Sequence, residues 1–186
     1  MRYFYVLSLL MILLLSVTCT NNAEEDADLM KESIRPVSTY SIAAFDKDTG
    51  QLGVAVQSHW FSVGLIVPWA ESGVGAVATQ SFADPSYGRL GLELMRAGKS
   101  PQETLAALTQ ADKTPDVRQV GMVDAQGRTA VFTGKGCIAE AGHTTGEGFT
   151  CQANMMLNDT VWDAMAQAYE NTEGELADRL VAALEA

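Results

Sequence analysis

Two adjacent hydroxyl residues, Ser38 and Thr39, open an apolar stretch that ends in the charged turn Asp46-Lys47-Asp48-Thr49-Gly50. A serine or threonine hydroxyl is a weak nucleophile until a neighbouring base removes its proton. At a newly made chain terminus the free α-amino group, with a pKa of about 8, provides such a base. Two interpretations therefore stay open: these hydroxyls only begin a strand, or Thr39 (otherwise Ser38) becomes a nucleophile after processing.

Histidines and cysteines are the other candidates for chemistry. His59 and His143 are the two histidines of the chain, and His143 lies between Cys137 and Cys151 in a polar, glycine-rich segment. An even pair of cysteines in an exported domain predicts a disulfide between Cys137 and Cys151. The alternative is a thiol nucleophile with His143 as its base. Two histidines with scattered carboxylates predict no metal site, and no cofactor is expected.

Two amide side chains are further candidates. Gln80 ends a predicted strand just before a predicted helix, and Asn154 directly precedes the short apolar run Met155-Met156-Leu157. Amide groups of this kind can donate to a developing oxyanion, or they can satisfy buried backbone groups. Both therefore remain site-lining candidates, whereas Arg118-Gln119 is predicted to form a solvated or ion-paired strand edge.

The N-terminal segment is typical of an export signal. Arg2 is followed by an apolar run, Tyr3 to Val17, which is too short to span a bilayer comfortably, and then by Cys19. A cysteine at this place is typical of bacterial lipoproteins, in which it is lipidated; a simple secretory signal is the alternative. We expect a signal peptide at residues 1–18, an acidic tether at 19–37, a domain at 38–186, and an exported protein anchored in the envelope membrane or secreted.

Composition narrows the classes of function. The 186 residues are 47% hydrophobic and 19% charged, which suits one globular domain rather than a disordered chain. The net charge of −11, without a basic cluster, argues against nucleic-acid binding. The expected partner is an amide, a peptide or a cell-wall ligand; the only membrane contact expected is a lipid anchor, and a homo-oligomer is compatible with the sequence.

Hairpins and paired helices alternate along the predicted domain. Strand patterns are predicted around the turns 46–50, 70–72 and 124–127, with the strand before the second turn at 63–69. Helices are predicted from Pro85, from Pro101 with the capping box Ser100–Glu103, after Asp159, and around Leu180. This order predicts an α+β fold with antiparallel sheets, with helices outside two stacked sheets.

Four stretches together resemble the DUF1028 family: TYSIAAFDKDTGQLGVAVQS, VGAVATQSFADPSYGRLGLELMRAG, RQVGMVDAQG and the Ala141-Gly142-His143 stretch. That family is grouped by fold with the N-terminal-nucleophile hydrolases, so the resemblance implies a four-layer αββα sandwich. Family members usually continue with a further strand-like segment, so we expect either that this sequence is a fragment or that its sheet lacks a C-terminal strand. Proteasome-like relatives carry an Asp and a basic residue where this chain has Gln57 and His59.

The resemblance leads to a function hypothesis with alternatives. Together with the predicted export signal, it leads to the hypothesis of an exported amide or peptide hydrolase with Thr39 as nucleophile. The site-lining candidates are Ser38, His59, Gln80, His143 and Asn154. The about 20 residues between Cys19 and Thr39 oppose this, because the base must be a free amino group. A catalytically silent binding module for a cell-wall or small-molecule ligand is the alternative, and a purely structural envelope lipoprotein is the third.

Overall fold

A computed structural model of the protein describes residues 38–186. The expected signal peptide, the lipidated Cys19 and the acidic tether lie outside the described residues. The strands are β1 Thr39–Phe45, β2 Leu52–Ser58, β3 Pro68–Glu71, β4 Gly75–Ser81, β5 Arg118–Asp124, β6 Thr129–Thr133, β7 Gly142–Gly146 and β8 Phe149–Asn154. The helices are α1 Pro85–Arg96, α2 Pro101–Ala111, α3 Val161–Asn171 and α4 Leu176–Leu184.

Within residues 38–186 the strands form two four-stranded antiparallel sheets, in the orders β2-β1-β8-β7 and β3-β4-β5-β6. Three hairpins connect β1 to β2, β3 to β4 and β5 to β6, as the turn patterns predict. The central pair of the first sheet, β1 and β8, brings together strands more than a hundred residues apart, with Thr39 opposite Asn154. The α+β fold with antiparallel sheets is therefore confirmed.

Each sheet has its own helix pair on its outer face. Ile42, Phe149 and Cys151 of the first sheet pack against α3 and α4. Val77 and Met122 of the second sheet pack against α1 and α2. Side chains alternate along a strand, so the remaining residues of β1, β4, β5 and β8 face the other sheet. The layers follow the order helices, sheet, sheet, helices, which confirms the predicted αββα sandwich.

The space between the sheets is divided into an apolar half and a polar half. Towards the turn after β1 it is filled by Ala43, Ala76 and Val123, with Val54 packed against them. Towards the start of β1 most inward-facing residues are polar, and the buried polar side chains between the sheets are Thr39, Ser41, Gln80, Gln119, Thr150, Gln152 and Asn154. A buried polar group is costly unless it is hydrogen-bonded, so this half needs an internal network.

Local signals in the sequence locate most helix ends. Ser100 Oγ accepts from the Glu103 backbone N–H, and Glu103 accepts in return from the Ser100 N–H at 2.8 Å, which confirms the capping box. The first helix is capped by Asp84, whose carboxylate accepts from Ser86 N–H. Asp159 does not cap α3, however. The residue at that position is Thr160, without a side-chain cap.

The predicted strand at 63–69 is wrong in its position. Ser62 has a left-handed backbone, and Val63–Leu65 forms a single 3-10 turn, so the extended chain begins only at Pro68. Proline is tolerated as a first strand residue because its missing N–H breaks no ladder there. The strand β7 was not predicted, because its sequence Gly-His-Thr-Thr-Gly carries no apolar alternation.

No helix among residues 38–186 is long and apolar enough to span a membrane.

Gly121 tests how closely the two sheets approach. A methyl group at this position would overlap Gln152 Oε1 and Thr150 Oγ1 of the opposite sheet. We expect Gly121→Ala to lower the free energy of unfolding by about 1–3 kcal/mol, as overpacking typically does. Urea unfolding measures this. Gly64→Ala is the matched control, because no atom lies within 4 Å of the added methyl group. Equal stability of the two variants would contradict the close approach.

Candidate functional site

Gln80 connects the two sheets at the polar half of the sandwich. Its Oε1 accepts from Ser41 Oγ at 2.7 Å, and its Nε2 donates to Gln119 Oε1 at 2.8 Å. The same Nε2 lies 3.3 Å from the backbone oxygen of Thr39 and 3.2 Å from that of Gln152. Gln80 therefore satisfies backbone carbonyls, the second of the two roles predicted for it, and it ties β4 to the start of β1.

Gln119 is the second centre of this network. Its Oε1 accepts from Asn154 Nδ2 at 2.9 Å as well as from Gln80. Its Nε2 donates to the Ala153 carbonyl at 2.8 Å and to Thr133 Oγ1 at 3.0 Å. The sequence-based prediction of a solvated or ion-paired edge is therefore wrong for Gln119, whose side chain is fully buried between the sheets.

Three inward-facing polar atoms of β8 have no partner among the described residues: Gln152 Oε1, Asn154 Oδ1 and Thr150 Oγ1. Gln152 still donates to Ser41 Oγ at 2.7 Å, and Asn154 to Gln119. Their carbonyl ends remain available as acceptors. Asn154 matters most here, because it pairs with Thr39 across the sheet.

Thr39 faces this polar half from the first position of β1. Its side chain is 93% buried, and its Oγ1 lies 2.8 Å from Ser58 Oγ, the last residue of β2. Ser58 is thus the side chain beside the hydroxyl, rather than Gln57 or His59. Gln57 is exposed, since it alternates onto the other face of β2. The sequence missed Ser58, although its register opposite Thr39 follows from the hairpin.

Ser38 and His59 meet just outside the strand pair. Ser38 Oγ lies 3.1 Å from His59 Nδ1, and the Ser38 carbonyl accepts from the His59 backbone N–H at 3.2 Å. The carbonyl that precedes Thr39 is thus polarised by a backbone donor. Both residues are close in sequence to Thr39, but their hydrogen bonds hold the incoming chain and do not reach its hydroxyl.

His143 joins the network from the surface. Its Nδ1 lies 2.8 Å from Thr133 Oγ1, which in turn accepts from Gln119 Nε2. Partial burial lowers the pKa of His143 below its usual value. A hydrogen-bonded path therefore runs from His143 through Thr133 and Gln119 to Asn154 and Gln80. Among the described residues, no hydrogen bond joins His143 to Cys137 or Cys151. The alternative of a thiol nucleophile with His143 as its base therefore gains no support.

The loops at this end contain the non-glycine residues with left-handed backbone. Within residues 38–186 these are Ser62, Ser81 and Met155, with φ of 58°, 68° and 57°. Ser81 ends β4, and Met155 directly follows β8. Such conformations are unfavourable for residues with a Cβ and cluster at functional sites. The end of the sandwich that carries Thr39 therefore also carries the backbone strain.

A partly buried ion pair closes the helix side of the same end. Arg118 Nε donates to Asp112 Oδ2 at 2.7 Å, and Tyr87 Oη donates to the same oxygen at 3.1 Å. The Arg118 hydrogen bond lowers the pKa of Asp112 to about 2. Arg118 Nη1 also donates to the Phe82 carbonyl at 2.5 Å. The prediction of an ion pair at Arg118 is confirmed. Through the Phe82 carbonyl, Arg118 also holds the loop after β4 in place.

The predicted disulfide is not formed, because Cys137 and Cys151 are both free thiols. Cys151 points from β8 into the helix layer, where burial raises its pKa to about 12. Cys137, in the loop after β6, donates to the carbonyl of Arg118 in the second sheet at 3.3 Å. Neighbouring residues of a strand face opposite sides, and this alternation sends Cys151 away from Cys137.

A cavity of about 370 Å³ lies at the opposite end of the sandwich, lined by the turns after β1, β5 and β7 and by residues such as Tyr169 and Arg179. It contains none of the predicted site residues. Among residues 38–186 no three His, Cys, Asp or Glu side chains are grouped closely enough to hold a metal ion.

Comparison with known proteins decides the family. The model of a family of unknown function, DUF1028, matches residues 39–186. The chain belongs to the DUF1028 family. A crystal structure of the DUF1028 protein SPO2555 from Silicibacter pomeroyi is similar, with 29% identity, a TM-score of 0.77, and coverage of 80% of this chain and 69% of that one. No curated protein matches this sequence. The resemblance to DUF1028 is thus confirmed.

Replacing Gln119 in this DUF1028 protein tests the network. Gln119→Leu would leave the Asn154 and Gln80 amides and the Ala153 carbonyl without their buried partner. We expect a loss of about 2–4 kcal/mol in the free energy of unfolding, because each orphaned buried group carries its own desolvation cost. Gln57→Leu, at an exposed position of β2, is the control and should change stability little. Equal losses in urea unfolding would show that the network does not hold the sheets.

Acid should weaken the protein through Asp112. Its pKa is lower in the folded protein than its usual value of 3.8, so its stabilisation is present above about pH 4 and is lost as the pH falls towards 2. We expect Asp112→Asn to cost about 2 kcal/mol at pH 7 and progressively less below pH 4. Urea unfolding at several pH values measures this. Asp48→Asn, at an exposed turn, is the control; a pH-independent loss in Asp112→Asn would contradict the assignment.

Proposed function

We propose that this protein is an amide or peptide hydrolase whose nucleophile is Thr39, freed by cleavage of the Ser38–Thr39 bond. The observation that carries the proposal is the position of Thr39. Its hydroxyl faces the polar half of the inter-sheet layer, at 2.8 Å from Ser58 Oγ, beside strand ends with left-handed backbone. The resemblance of the family to N-terminal-nucleophile hydrolases supports the same residue.

The chemistry requires a free α-amino group on Thr39. That group takes the proton of the Thr39 hydroxyl as the oxygen attacks the amide carbon of the substrate. The same proton then passes to the leaving amine, and water hydrolyses the ester that remains on Thr39. Asn154 Oδ1, unpaired and opposite Thr39 in register, is a suitable acceptor for the freed amino group.

Two hydrogen bonds around the Ser38–Thr39 peptide bond favour its cleavage. The Ser38 carbonyl accepts from His59 N–H at 3.2 Å, and such a donor stabilises negative charge on that oxygen. The other, between Thr39 Oγ1 and Ser58 Oγ, orients the hydroxyl beside this bond. Gln80, bound to the Thr39 carbonyl, holds the residue from the other side.

A silent binding module is the second candidate. It is favoured by the 93% burial of Thr39 and by its continuous connection to Ser38, which leaves the nitrogen an amide. In that case the unpaired acceptors of β8 would serve a ligand. On either proposal the predicted signal and Cys19 direct the domain to the cell envelope, where amides and peptides of the wall are available.

N-terminal sequencing and intact mass of the exported protein test the hydrolase. We expect a mature chain that begins at Thr39 and that is acylated there by a β-lactone, a probe for nucleophilic hydroxyls. Thr39→Ala should abolish labelling, and Thr39→Ser should retain it. Thr145→Ala is the matched control, since Thr145 is exposed and makes no side-chain hydrogen bond among the described residues. A mature protein that keeps the Ser38–Thr39 bond throughout and takes no label would overturn the hydrolase and leave the binding module.

A further inference from the structure

Large apolar side chains are exposed at one end of the sandwich. Within residues 38–186, seven large apolar residues are exposed, and six of them lie on the loops at the Thr39 end. We name these six the apolar rim: Trp60, Phe61, Leu65, Phe82, Ile138 and Leu157. Their exposed fractions run from 49% to 93%. The seventh, Val181, lies on α4.

Hydrogen bonds show that the rim residues share this end although they come from four loops. Trp60 N–H donates to Ser58 Oγ at 3.0 Å, the hydroxyl that also contacts Thr39. The Phe82 carbonyl accepts from Arg118, whose own carbonyl accepts from Cys137, the neighbour of Ile138. The Ile138 carbonyl accepts from Met155 N–H at 3.1 Å, two residues before Leu157.

The rim projects outward, with Phe61 and Leu157 more than nine-tenths exposed. Exposed apolar patches of this kind mark an interaction surface rather than a random distribution of surface residues. The first loop, 59–67, carries no Asp, Glu, Lys or Arg in a chain of net charge −11. Tryptophan, phenylalanine and leucine on an uncharged loop are the side chains that insert into the interfacial region of a bilayer.

The preceding chain joins the domain at this same end. Ser38 contacts His59, which directly precedes Trp60 and Phe61. About 20 residues separate Ser38 from the apolar run Tyr3 to Val17, enough to reach about 70 Å when extended. If the N-terminal segment is membrane-directed, whether lipidated at Cys19 or not, it tethers the domain through the end that carries the rim.

We propose that the apolar rim docks on the surface of a lipid bilayer, in addition to the lipid anchor expected at Cys19. The contact is apolar, and the acidic chain is repelled by anionic lipid. Docking is therefore stronger on phosphatidylcholine than on phosphatidylglycerol vesicles. The proposal rests on the rim and on the membrane-directed N-terminal segment; it does not rest on the chemistry of Thr39.

Quenching of tryptophan emission by brominated phosphatidylcholine tests the docking in the full chain. Sedimentation with vesicles would not, because Tyr3 to Val17 can bind lipid itself. The Trp60 contribution is the difference between the wild type and Trp60→Phe, since Trp69 and Trp162 remain in both. We expect brominated lipid to remove most of this difference and phosphatidylglycerol vesicles to weaken the effect.

A double variant supplies the matched comparison. Phe61→Ser with Leu65→Ser should restore most of the Trp60 emission, whereas Val181→Ser, also at an exposed apolar position, should leave the quenching unchanged. Unchanged urea unfolding shows that each variant is folded. Thr39→Ala should quench as the wild type does, which separates this proposal from the hydrolase.

Three results would overturn the proposal. The first is an unquenched Trp60 in the full chain. The second is a dimer in analytical ultracentrifugation that the double variant dissociates while lipid has no effect, which would make the rim an interface between copies. The third is loss of β-lactone labelling in the double variant without lipid quenching, which would assign the rim to an apolar substrate.

Discussion

The buried amide network between the two sheets is the constraint on which the rest of this structure depends. Gln80 and Gln119 each form hydrogen bonds across the inter-sheet layer, and both are fully buried. A side-chain amide in such a place is costly unless both of its ends are paired. Pairing holds the start of β1, the end of β4 and the end of β8 in one relative position. The location of Thr39 follows from this position.

The two ends of the sandwich thus differ in the residues that fill them and in their backbone conformation. The end towards the turn after β1 is sealed by small apolar residues, Ala43, Ala76 and Val123. The other end has polar groups inside, left-handed residues at its strand ends, and apolar side chains outside. Strained backbone and exposed apolar area both lower stability, so their presence at one end, together with Thr39, suits an end that binds in addition to holding the two sheets together.

Much of the fold could be predicted because it depends on interactions between residues that are close together in the sequence. The capping box at Ser100 and Glu103 needs only neighbouring residues, and so does the turn that ends at Gly50. The signals failed where a neighbour far away in sequence decides the outcome. β7 has no apolar alternation, because it is an edge strand whose pairing with β8 supplies its order. The strand predicted at 63–69 begins only at Pro68, as the edge strand of the second sheet.

The candidate site was predictable only in part for the same reason. The candidates of the hydrolase hypothesis all lie at one end of the sandwich, namely Thr39, Ser38, His59, Gln80, His143 and Asn154. The prediction from sequence missed the side chains that join them. Ser58 could have been found from the hairpin register, whereas Gln119 looked like a surface residue. The prediction of a disulfide between Cys137 and Cys151 was wrong, because the positions of two cysteines in a sequence do not show which side of a sheet each side chain faces.

By itself the sequence determined the α+β class, the family, most helix starts and the hydroxyl residue at the head of the first strand, since periodicity, caps and turns act over a few residues. Only the tertiary structure decided that three glutamines and an asparagine meet between the sheets, that the cysteines stay apart, and that four loops bring their apolar side chains to the Thr39 end. These outcomes depend on strand pairing across more than a hundred residues and on the alternation of side chains between two faces, and no local pattern records which strands become neighbours.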